Sequence, residues 1–314
     1  MKKIDLNFFP GYTRKAITYT IDDGNIPTDV KFLDRVKPRG FKGAFNLCGA
    51  SRKGFTHDDY RRIYEGCEIV NHCSTHPMSM PDDMTGLTVS EEYYDDAIAD
   101  DFTFFKSPTE DGVYMKSRKA RGAGPVRYVA PERYIELIKI AQEELESVFG
   151  KGSVVQFVWP FGKQDSKLVS DFLKDNFYAV RQSGAVADKT GFAIPEDRID
   201  WKVSANYSLV AEVGDKFDAY PDDGELKLFS FGYHSYDFER TGTWGNLEYM
   251  AEKLGNRPSD FWYATNIEVF KYDDAVKSVK VTDTDIYNPS DINLFIKIDG
   301  VPTELPAGST IAIA

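Results

Sequence analysis

Two histidines, His72 and His76, lie four residues apart in the segment N-H-C-S-T-H-P. On a helical turn, side chains at this spacing share one face, so both imidazoles can bind the same metal ion. Cys73 lies between them in sequence but about 100° away around such a helix, and we do not expect it to be a ligand. The pair therefore predicts a metal site with two imidazole ligands.

Two adjacent carboxylates, Asp22 and Asp23, follow the first predicted strand in the sequence T-I-D-D-G. Successive side chains in a strand point to opposite faces, but the chain turns at the end of the strand, where both carboxylates can reach one site. A solvated Asp-Asp-Gly turn is the alternative. Two histidines and one carboxylate leave open positions on a divalent metal, which is typical of a catalytic site rather than a closed structural one.

These two segments resemble the first two motifs of the NodB-type polysaccharide deacetylases, carbohydrate esterase family 4, which read T-F-D-D-G and H-[S/T]-x-x-H-P. The isoleucine and the cysteine in the present segments are mild departures. The resemblance implies that Asp22 is the catalytic base and that Asp23, His72 and His76 bind one divalent metal ion. The ligand types favour Zn²⁺, with Co²⁺, Ni²⁺ or Mn²⁺ as alternatives.

The segment V-W-P-F-G resembles the third motif of this family, R-x-P-[Y/F]-G, and has Val158 in place of the arginine. The resemblance implies that Trp159, Pro160 and Phe161 bind the substrate. It also implies that backbone N–H groups near Phe161 donate to the oxyanion of the reaction.

The family's arginine would pair with the catalytic aspartate, so its replacement has a consequence for Asp22. A cation beside a carboxylate favours the charged form, and we therefore expect the pKa of Asp22 to be higher than in a relative with the arginine. Another basic group can fill this place, and the candidates are Lys163, Arg181 and a residue of the segment 106–130.

Two later segments resemble the remaining motifs of the family. D-R-I-D-W, which contains Asp200 and Trp201, is similar to D-x-x-D-W, although packing explains a tryptophan at a strand end equally well. F-G-Y-H-S-Y is similar to the fifth motif, in which a histidine at a strand end is the general acid. The resemblance implies that His234 is this acid, that Asp200 orients its imidazole, and that Trp201 and Tyr236 bind the substrate.

Short apolar runs alternate with helical patterns along most of the chain, which favours β/α units around a mostly parallel sheet or barrel. The predicted strands are 15–21, 43–47, 68–71, 154–158, 178–181, 199–203, 226–233 and 261–264. The predicted helices are 28–36, 56–64, 88–105, 131–149, 166–176, 207–217, 243–254 and 266–276. The motif residues fall at the carboxyl ends of these strands, where barrel enzymes build their sites. With the family resemblance, this predicts a distorted (β/α) barrel of the NodB-homology type.

Two segments do not follow the alternation. Residues 106–130 contain several basic residues, with glycine and proline, and we expect a long surface loop there. Residues 278–314 contain short strand patterns and the hairpin signal Asp299-Gly300. We therefore expect a catalytic barrel over residues 1–277 and a small β appendage over 278–314, which docks on the barrel or mediates oligomerisation.

Composition excludes several classes of function. The chain has 38 basic and 50 acidic residues and a net charge of −12, so nucleic acid is an unexpected partner. No apolar run approaches the roughly 20 residues of a membrane-spanning helix. Three cysteines form no C-x-x-C pair, and the first residues show no signal peptide. We expect a cytoplasmic protein, or an extracellular one if the chain is a trimmed form.

The resemblance implies a metal-dependent hydrolase that removes N- or O-linked acetyl groups from a sugar or polysaccharide. The partner would be an acetylated carbohydrate. Two alternatives remain open at this point, namely a metal-dependent amidase that acts on a non-sugar amide and a catalytically inactive carbohydrate-binding relative.

Overall fold

The structure, a computed structural model, describes residues 2–80, 102–106, 113–117 and 126–313. The strands are β1 (Ile4–Phe8), β2 (Lys15–Asp22), β3 (Gly43–Leu47), β4 (Glu68–Asn71), β5 (Met78–Ser79), β6 (Phe102–Lys106), β7 (Val113–Ser117), β8 (Val126–Val129), β9 (Gln156–Val158), β10 (Ala179–Ala185), β11 (Trp201–Val203), β12 (Ala205–Asn206), β13 (Lys227–His234), β14 (Phe261–Tyr263), β15 (Lys280–Val281), β16 (Asp285–Tyr287), β17 (Leu294–Ile298), β18 (Val301–Leu305) and β19 (Thr310–Ala312). The helices are α1 (Ile26–Val36), α2 (His57–Ile63), α3 (Pro131–Phe149), α4 (Lys167–Asn176), α5 (Val210–Asp218), α6 (Ser235–Thr241), α7 (Trp244–Leu254) and α8 (Asn266–Ser278).

The central sheet is parallel and has the strand order β11-β10-β9-β4-β3-β2-β13-β12, with β14 also paired to β2. Its two ends belong to one segment, residues 201–206. This segment pairs with β10 through β11 and with β13 through β12, and Ser204 N between them donates to Ser230 O of β13 at 2.8 Å. The expected distorted (β/α) barrel is confirmed, and residues 201–206 span its last gap.

Alternation along β2 determines which side chains reach the barrel interior. Tyr19 packs among the aromatic rings of Phe32 and Phe45 on the helix side of the sheet, with ring centroids 5.1 and 5.8 Å away. Residues of opposite parity point the other way. Asp22 therefore points into the barrel, where Asn46 Nδ2 of the neighbouring strand donates to its Oδ1 at 2.5 Å.

The C-terminal strands pack against the main sheet and against β1. The hairpin of β17 and β18 turns at Asp299 and Gly300, as predicted, and β17 also pairs with β1 in antiparallel register. Leu294 is fully buried in the same apolar cluster as Phe9 and Phe270 of α8. Strands β15, β16 and β19 form a second small sheet.

The segment 102–130 differs from its predicted structure. Residues 102–105 are strand rather than helix, and 113–117 and 126–129 are strands rather than loop; with β5 they form the sheet β5-β8-β7-β6. Aromatic and β-branched residues are frequent in these strands, and such residues favour a pleated surface. The rest of the predicted helix, residues 88–101, lies outside the described residues.

No helix in the described part of the chain is both long and apolar enough to cross a membrane.

Candidate active site

The motif residues meet in a cavity of about 350 Å³ at the carboxyl ends of the barrel strands. Asp22 is the last residue of β2, and Asp23 and Gly24 then turn the chain with left-handed φ angles of 74° and 62°. This turn brings both carboxylates to one cavity. The lining residues are Asp22, Asp23, His72, His76, Trp159, Phe161, Gly162, Arg181, Ser183, Tyr233, His234 and Tyr236.

Asp23, His72 and His76 converge on one point. Asp23 Oδ1 lies 3.3 Å from Nε2 of each histidine, and the two Nε2 atoms are 3.2 Å apart. The spacing of the histidines suggested a helical turn, but the two residues do not lie on a helix. The chain is irregular after β4, and left-handed φ angles at Cys73, Thr75 and His76 turn the second imidazole back towards the first.

This arrangement fits a divalent metal ion. His72 Nδ1 donates to the carbonyl oxygen of Val158 at 2.8 Å, which leaves the Nε2 lone pair directed at Asp23. Burial and the neighbouring His72 lower the pKa of His76 to about 4, so its imidazole is neutral at neutral pH. Asp23 Oδ1 is buried and has no hydrogen-bond partner among the described residues. A cation would relieve the repulsion between these converging lone pairs.

Asp22 is held by a buried arginine from a strand that is not adjacent to β2 in the sheet. Arg181 Nη2 of β10 forms an ion pair with Asp22 Oδ1, and both side chains are buried. Burial alone would raise the pKa of Asp22, but Arg181, His72 and His234 lower it below its ordinary value. Arg181, one of the candidates for the place of the family's arginine, therefore supplies the cation beside Asp22, and the comparison of this pKa with that in a relative with the arginine stays a prediction. Arg181 is the register partner of Val158 across β9 and β10, so the cation lies one strand away from the position of the family's arginine.

His234 ends β13 and faces the metal-ligand cluster from the opposite side. Its Nε2 lies 3.6 Å from Asp23 Oδ2, and Tyr236 Oη donates to the same oxygen at 2.6 Å. Asp237 Oδ2 lies 2.8 Å from Nδ1 of His234. Burial lowers the pKa of His234, but Asp237, Asp22 and Asp23 raise it above its ordinary value.

Asp200, the expected orienting residue, does not contact His234. It is bonded to Lys163 Nζ at 2.9 Å and to Gln182 Nε2 instead. The structure brings Asp237 to the imidazole in its place. Because α6 begins directly after His234, a residue three positions later returns to the imidazole, so the H-x-x-D spacing in the sequence was an available signal.

The expected substrate-binding residues divide into two groups. Phe161 is 53% exposed, and its ring lies 4.5 Å from that of His76 at the cavity mouth, where Trp159 and Tyr236 also line the wall. Pro160 is buried, and its carbonyl accepts a hydrogen bond from Gln164. Trp201 packs against Phe270 and lines a neighbouring cavity with Asp200. Neither Pro160 nor Trp201 is among the described residues that line the candidate active site.

The sequence profile of the polysaccharide deacetylase family matches residues 11–180, more than half of the chain. The chain belongs to this family. The match confirms the resemblance drawn from the first two motifs, both of which fall within the matched residues. Membership supports a deacetylase activity on carbohydrate, and the Asp-His-His cluster is a candidate site for the divalent metal that such deacetylases use.

Solved structures of polysaccharide deacetylases and carbohydrate esterases are also similar to this chain. One is the Xyl-CE4 domain of a multidomain xylanase from the hindgut metagenome of Trinervitermes trinervoides, with 17% identity, a TM-score of 0.46, and coverage of 84% of this chain and 92% of that chain. Another is the peptidoglycan deacetylase PdaC from Bacillus subtilis, with 18% identity, a TM-score of 0.44, and coverage of 84% and 95%. A third is a family 4 acetyl xylan esterase from Clostridium thermocellum in complex with a cobalt ion, with 14% identity, a TM-score of 0.43, and coverage of 81% and 90%. A search of curated proteins finds no significant match.

Several groups of this candidate site were not assigned from the motifs. Asn46 and Asp237 were missed, and Arg181 was only one of several candidates for the missing cation. Arg181 and Asp22 are 159 residues apart in sequence, so only the pairing of strands brings them together. Asn46 lies on the strand next to Asp22 and is its direct register partner. It is the polar residue in the otherwise apolar strand β3, and this was the available signal in the sequence.

Proposed function

We propose that this chain is a metal-dependent hydrolase that removes acetyl groups, N- or O-linked, from a sugar or polysaccharide. One observation carries the proposal: the three candidate metal ligands share one cavity with a buried, ion-paired aspartate and a carboxylate-oriented histidine. This set contains every group that hydrolysis of an acetyl amide or ester needs.

Asp23, His72 and His76 would hold the metal ion. Two imidazole nitrogens and one carboxylate oxygen suit Zn²⁺, and Co²⁺, Ni²⁺ and Mn²⁺ accept the same ligands. When bound, a divalent ion at this position supplies Lewis-acid polarisation of the acetyl carbonyl and lowers the pKa of water.

Asp22 would act as the base. Arg181 and Asn46 hold its Oδ1, so the ionised carboxylate is fixed at the cavity floor. Asp22 accepts a proton from the attacking water as the water oxygen forms a bond to the acetyl carbon.

His234 would act as the acid on the other side of the scissile bond. Asp237 accepts a hydrogen bond from Nδ1–H, which orients the ring and favours the imidazolium. As the acetyl C–N or C–O bond breaks, Nε2–H donates its proton to the leaving nitrogen or oxygen, and the products are acetate and a free amine or hydroxyl group.

Aromatic side chains at the cavity mouth support a carbohydrate substrate. Phe161 is exposed there and Tyr236 contributes further ring surface, whereas Trp159 lines the cavity but is only 4% exposed. Flat apolar faces of this kind pack against sugar rings while the polar groups below bind the acetyl group.

Acetate release from a panel of substrates tests the proposal. The panel contains an N-acetylated chitooligosaccharide, an O-acetylated xylan and an N-acetylated amino acid, each assayed with the purified chain, its chelated form and the re-metallated form. We expect metal-dependent acetate release from at least one carbohydrate. Release from the amino acid alone would favour the amidase, and no release from any substrate would favour an inactive relative.

Metal analysis of His76→Ala tests the site itself. Removing one of three protein ligands is expected to reduce the metal content from one ion per chain to a small fraction. His57→Ala, which changes an exposed histidine at the start of α2, is the matched control and keeps full occupancy. Full occupancy in His76→Ala would contradict the ligand assignment.

A further inference from the structure

A buried carboxylic acid that the proposed reaction does not use lies beside the segment that carries His234. Asp29 belongs to α1 and is fully buried. Tyr64 Oη lies 2.7 Å from its Oδ2, and Ser235 Oγ lies 2.5 Å from its Oδ1. Both partners are neutral donors, and a buried carboxylate held by neutral groups has a desolvation penalty that a proton removes.

The hydrogen bonds around Asp29 need one more proton than the hydroxyl groups supply. Four oxygen–oxygen contacts form the chain: Tyr64 to Asp29, Asp29 to Ser235, Ser235 to Thr28 at 2.7 Å, and Thr28 to the carbonyl of Asn25 at 3.1 Å. The three hydroxyl groups carry three protons, so an ionised Asp29 leaves the contact between Thr28 Oγ1 and the Asn25 carbonyl without a proton; that carbonyl then accepts only from the backbone N–H groups of Thr28 and Asp29. A proton on Asp29 Oδ1 donates to Ser235, which donates to Thr28, which donates to Asn25.

The charged and titratable groups around Asp29 act on its pKa in opposite directions, and the effect of burial is the largest. Burial raises the pKa of Asp29, the hydrogen bonds from Ser235 and Tyr64 and the more distant Arg52 lower it in part, Asp23 raises it, and the net result is a pKa of about 7. The other titratable neighbours that interact with it are Tyr19, Tyr60 and Cys67.

The hydroxyl chain connects the two turns that carry opposite halves of the site. Helix α1 begins just after the Asp22–Asp23 turn, and Ser235 stands between His234 and Tyr236. The contacts across the cavity, from Asp23 Oδ2 to Tyr236 Oη and to His234 Nε2, depend on the relative position of these two turns.

We propose that Asp29 is a positioning residue that carries a proton below neutral pH, and that this proton completes the hydroxyl chain that holds the His234–Tyr236 turn against the Asp22–Asp23 turn. The positioning role rests on the proposed function, whereas the protonation of Asp29 does not.

Three variants test the positioning role. Asp29→Asn keeps the chain, because its amide donates to Ser235 and its carbonyl accepts from Tyr64. Asp29→Leu has a similar volume but neither group, and Ser235→Ala interrupts the chain at its centre. We expect kcat of Asp29→Asn to stay within about 3-fold of the parent, and kcat of the other two to fall about 10- to 100-fold, because small misplacements of catalytic groups have effects of this size.

The remaining measurements separate positioning from loss of structure. Metal content and KM of Asp29→Leu and Ser235→Ala are expected to stay near the parent values, so that the loss is confined to kcat. Glu68→Gln, which changes another buried acid far from the cavity lining, is the matched control and keeps the parent kcat. An equal loss in Asp29→Asn and Asp29→Leu would overturn the proposal, as would parent-like turnover in Asp29→Leu.

Protonation is measured directly by carboxyl ¹³C NMR of protein labelled at aspartate. The resonance that is absent in Asp29→Asn is expected to titrate near pH 7 rather than near the ordinary value of 3.8. A midpoint near 4 would overturn the protonated state. If the parent releases no acetate from any substrate, the proposed function fails, and the NMR titration still decides the state of Asp29.

Discussion

Asp22 and its cation partner come from strands that are not adjacent in the barrel. Arg181 reaches Asp22 from β10, beside the position on β9 where Val158 replaces the family's arginine. Parallel strands in register present their side chains at the same height, so a neighbouring strand can supply the same group. The function of this cation therefore depends on its place in the barrel more than on its place in a motif.

A swap between the two strands tests this equivalence. Arg181→Val leaves a buried carboxylate without its partner, and we expect activity to fall about 10²-fold or more, with roughly 3 kcal/mol lost from the free energy of unfolding. The double variant Val158→Arg/Arg181→Val is expected to recover a measurable part of the activity and of the free energy of unfolding. Val158→Arg alone places two arginines side by side and is expected to be destabilised. A double variant no better than Arg181→Val would contradict the idea.

A single substitution can test which carboxylate orients the imidazole of His234. Asp237→Asn can donate to Nδ1 and favour the wrong tautomer of the imidazole, so kcat is expected to fall about 10²- to 10⁴-fold. Asp200→Asn is the matched comparison, because Asp200 is bonded to Lys163 and Gln182, and we expect its kcat to stay within a few-fold of the parent. Steady-state kinetics that rank the two variants in the opposite order would return the orienting role to Asp200.

Among the elements, β4 and β9 are joined at their start by a buried acid. Glu68 accepts hydrogen bonds from Gln156 Nε2 and from Ile267 N of α8. Burial raises the pKa of Glu68 from 4.5 to about 7. The folded state therefore binds this proton more tightly than the unfolded state, and its stabilising contribution is complete below pH 4.5 and is lost as pH rises towards 7.

Removing this acid changes the pH dependence of stability. Glu68→Gln has no ionisable group; its amide oxygen can accept from Ile267 N, and its NH2 can donate to the Gln156 side-chain oxygen once that amide rotates by 180°. It is therefore expected to be more stable than the parent by roughly 2 kcal/mol at pH 8 and about equal at pH 4. Denaturant unfolding across this pH range measures the difference. Glu143→Gln, at an exposed position of α3, is the control and keeps the parent slope. If the free energy of unfolding changes with pH in the same way in the parent and in Glu68→Gln, Glu68 is already ionised in the folded state.

Regular elements were predictable from sequence where local pattern and burial agree. Strands 43–47 and 68–71 and helix 131–149 have the bounds that their apolar periodicity predicts. Residues 102–105 were wrongly predicted as helix, although their aromatic and β-branched residues favour a strand. The turn that joins His72 and His76 depends on left-handed residues, which spacing alone does not reveal.

The candidate site was predictable to the extent that its residues lie in linear motifs. Asp22, Asp23, His72, His76 and His234 come together in one cavity, as the family resemblance implied. The partners of these groups follow from strand register and helix start, so Arg181 was not singled out and Asp237 was not found. The sequence therefore predicted the candidate metal ligands, base and acid better than the residues that hydrogen-bond to them.

In the whole molecule, the C-terminal strands share a core with the barrel. We propose residues 1–277 as the catalytic unit and 278–314 as an extension that stabilises it. Leu294→Ala is expected to lower the free energy of unfolding by about 2–5 kcal/mol, because Leu294 is fully buried. Its metal content and kcat are expected to stay at the parent values, since the residue lies outside the cavity.

Val301→Ala is the matched control for this prediction, because Val301 is 62% exposed on the neighbouring strand of the same hairpin. We expect a change of less than about 0.5 kcal/mol there. Equal effects of the two substitutions would contradict a shared core, and a loss of metal in Leu294→Ala would show that the extension completes the site.

The pairing of β1 with β17 has a consequence for folding during translation, because these two strands are synthesised at very different times. Lys3 and Asp299, which are bonded beside this pair, are 296 residues apart in sequence. Strand β1 therefore leaves the exit tunnel long before β17, and it has no partner until the chain between the two strands has been translated. Until then β1 presents an unpaired edge, and such edges recruit other chains. We therefore expect nascent chains stalled before β17 to be the form of this protein that most needs a chaperone.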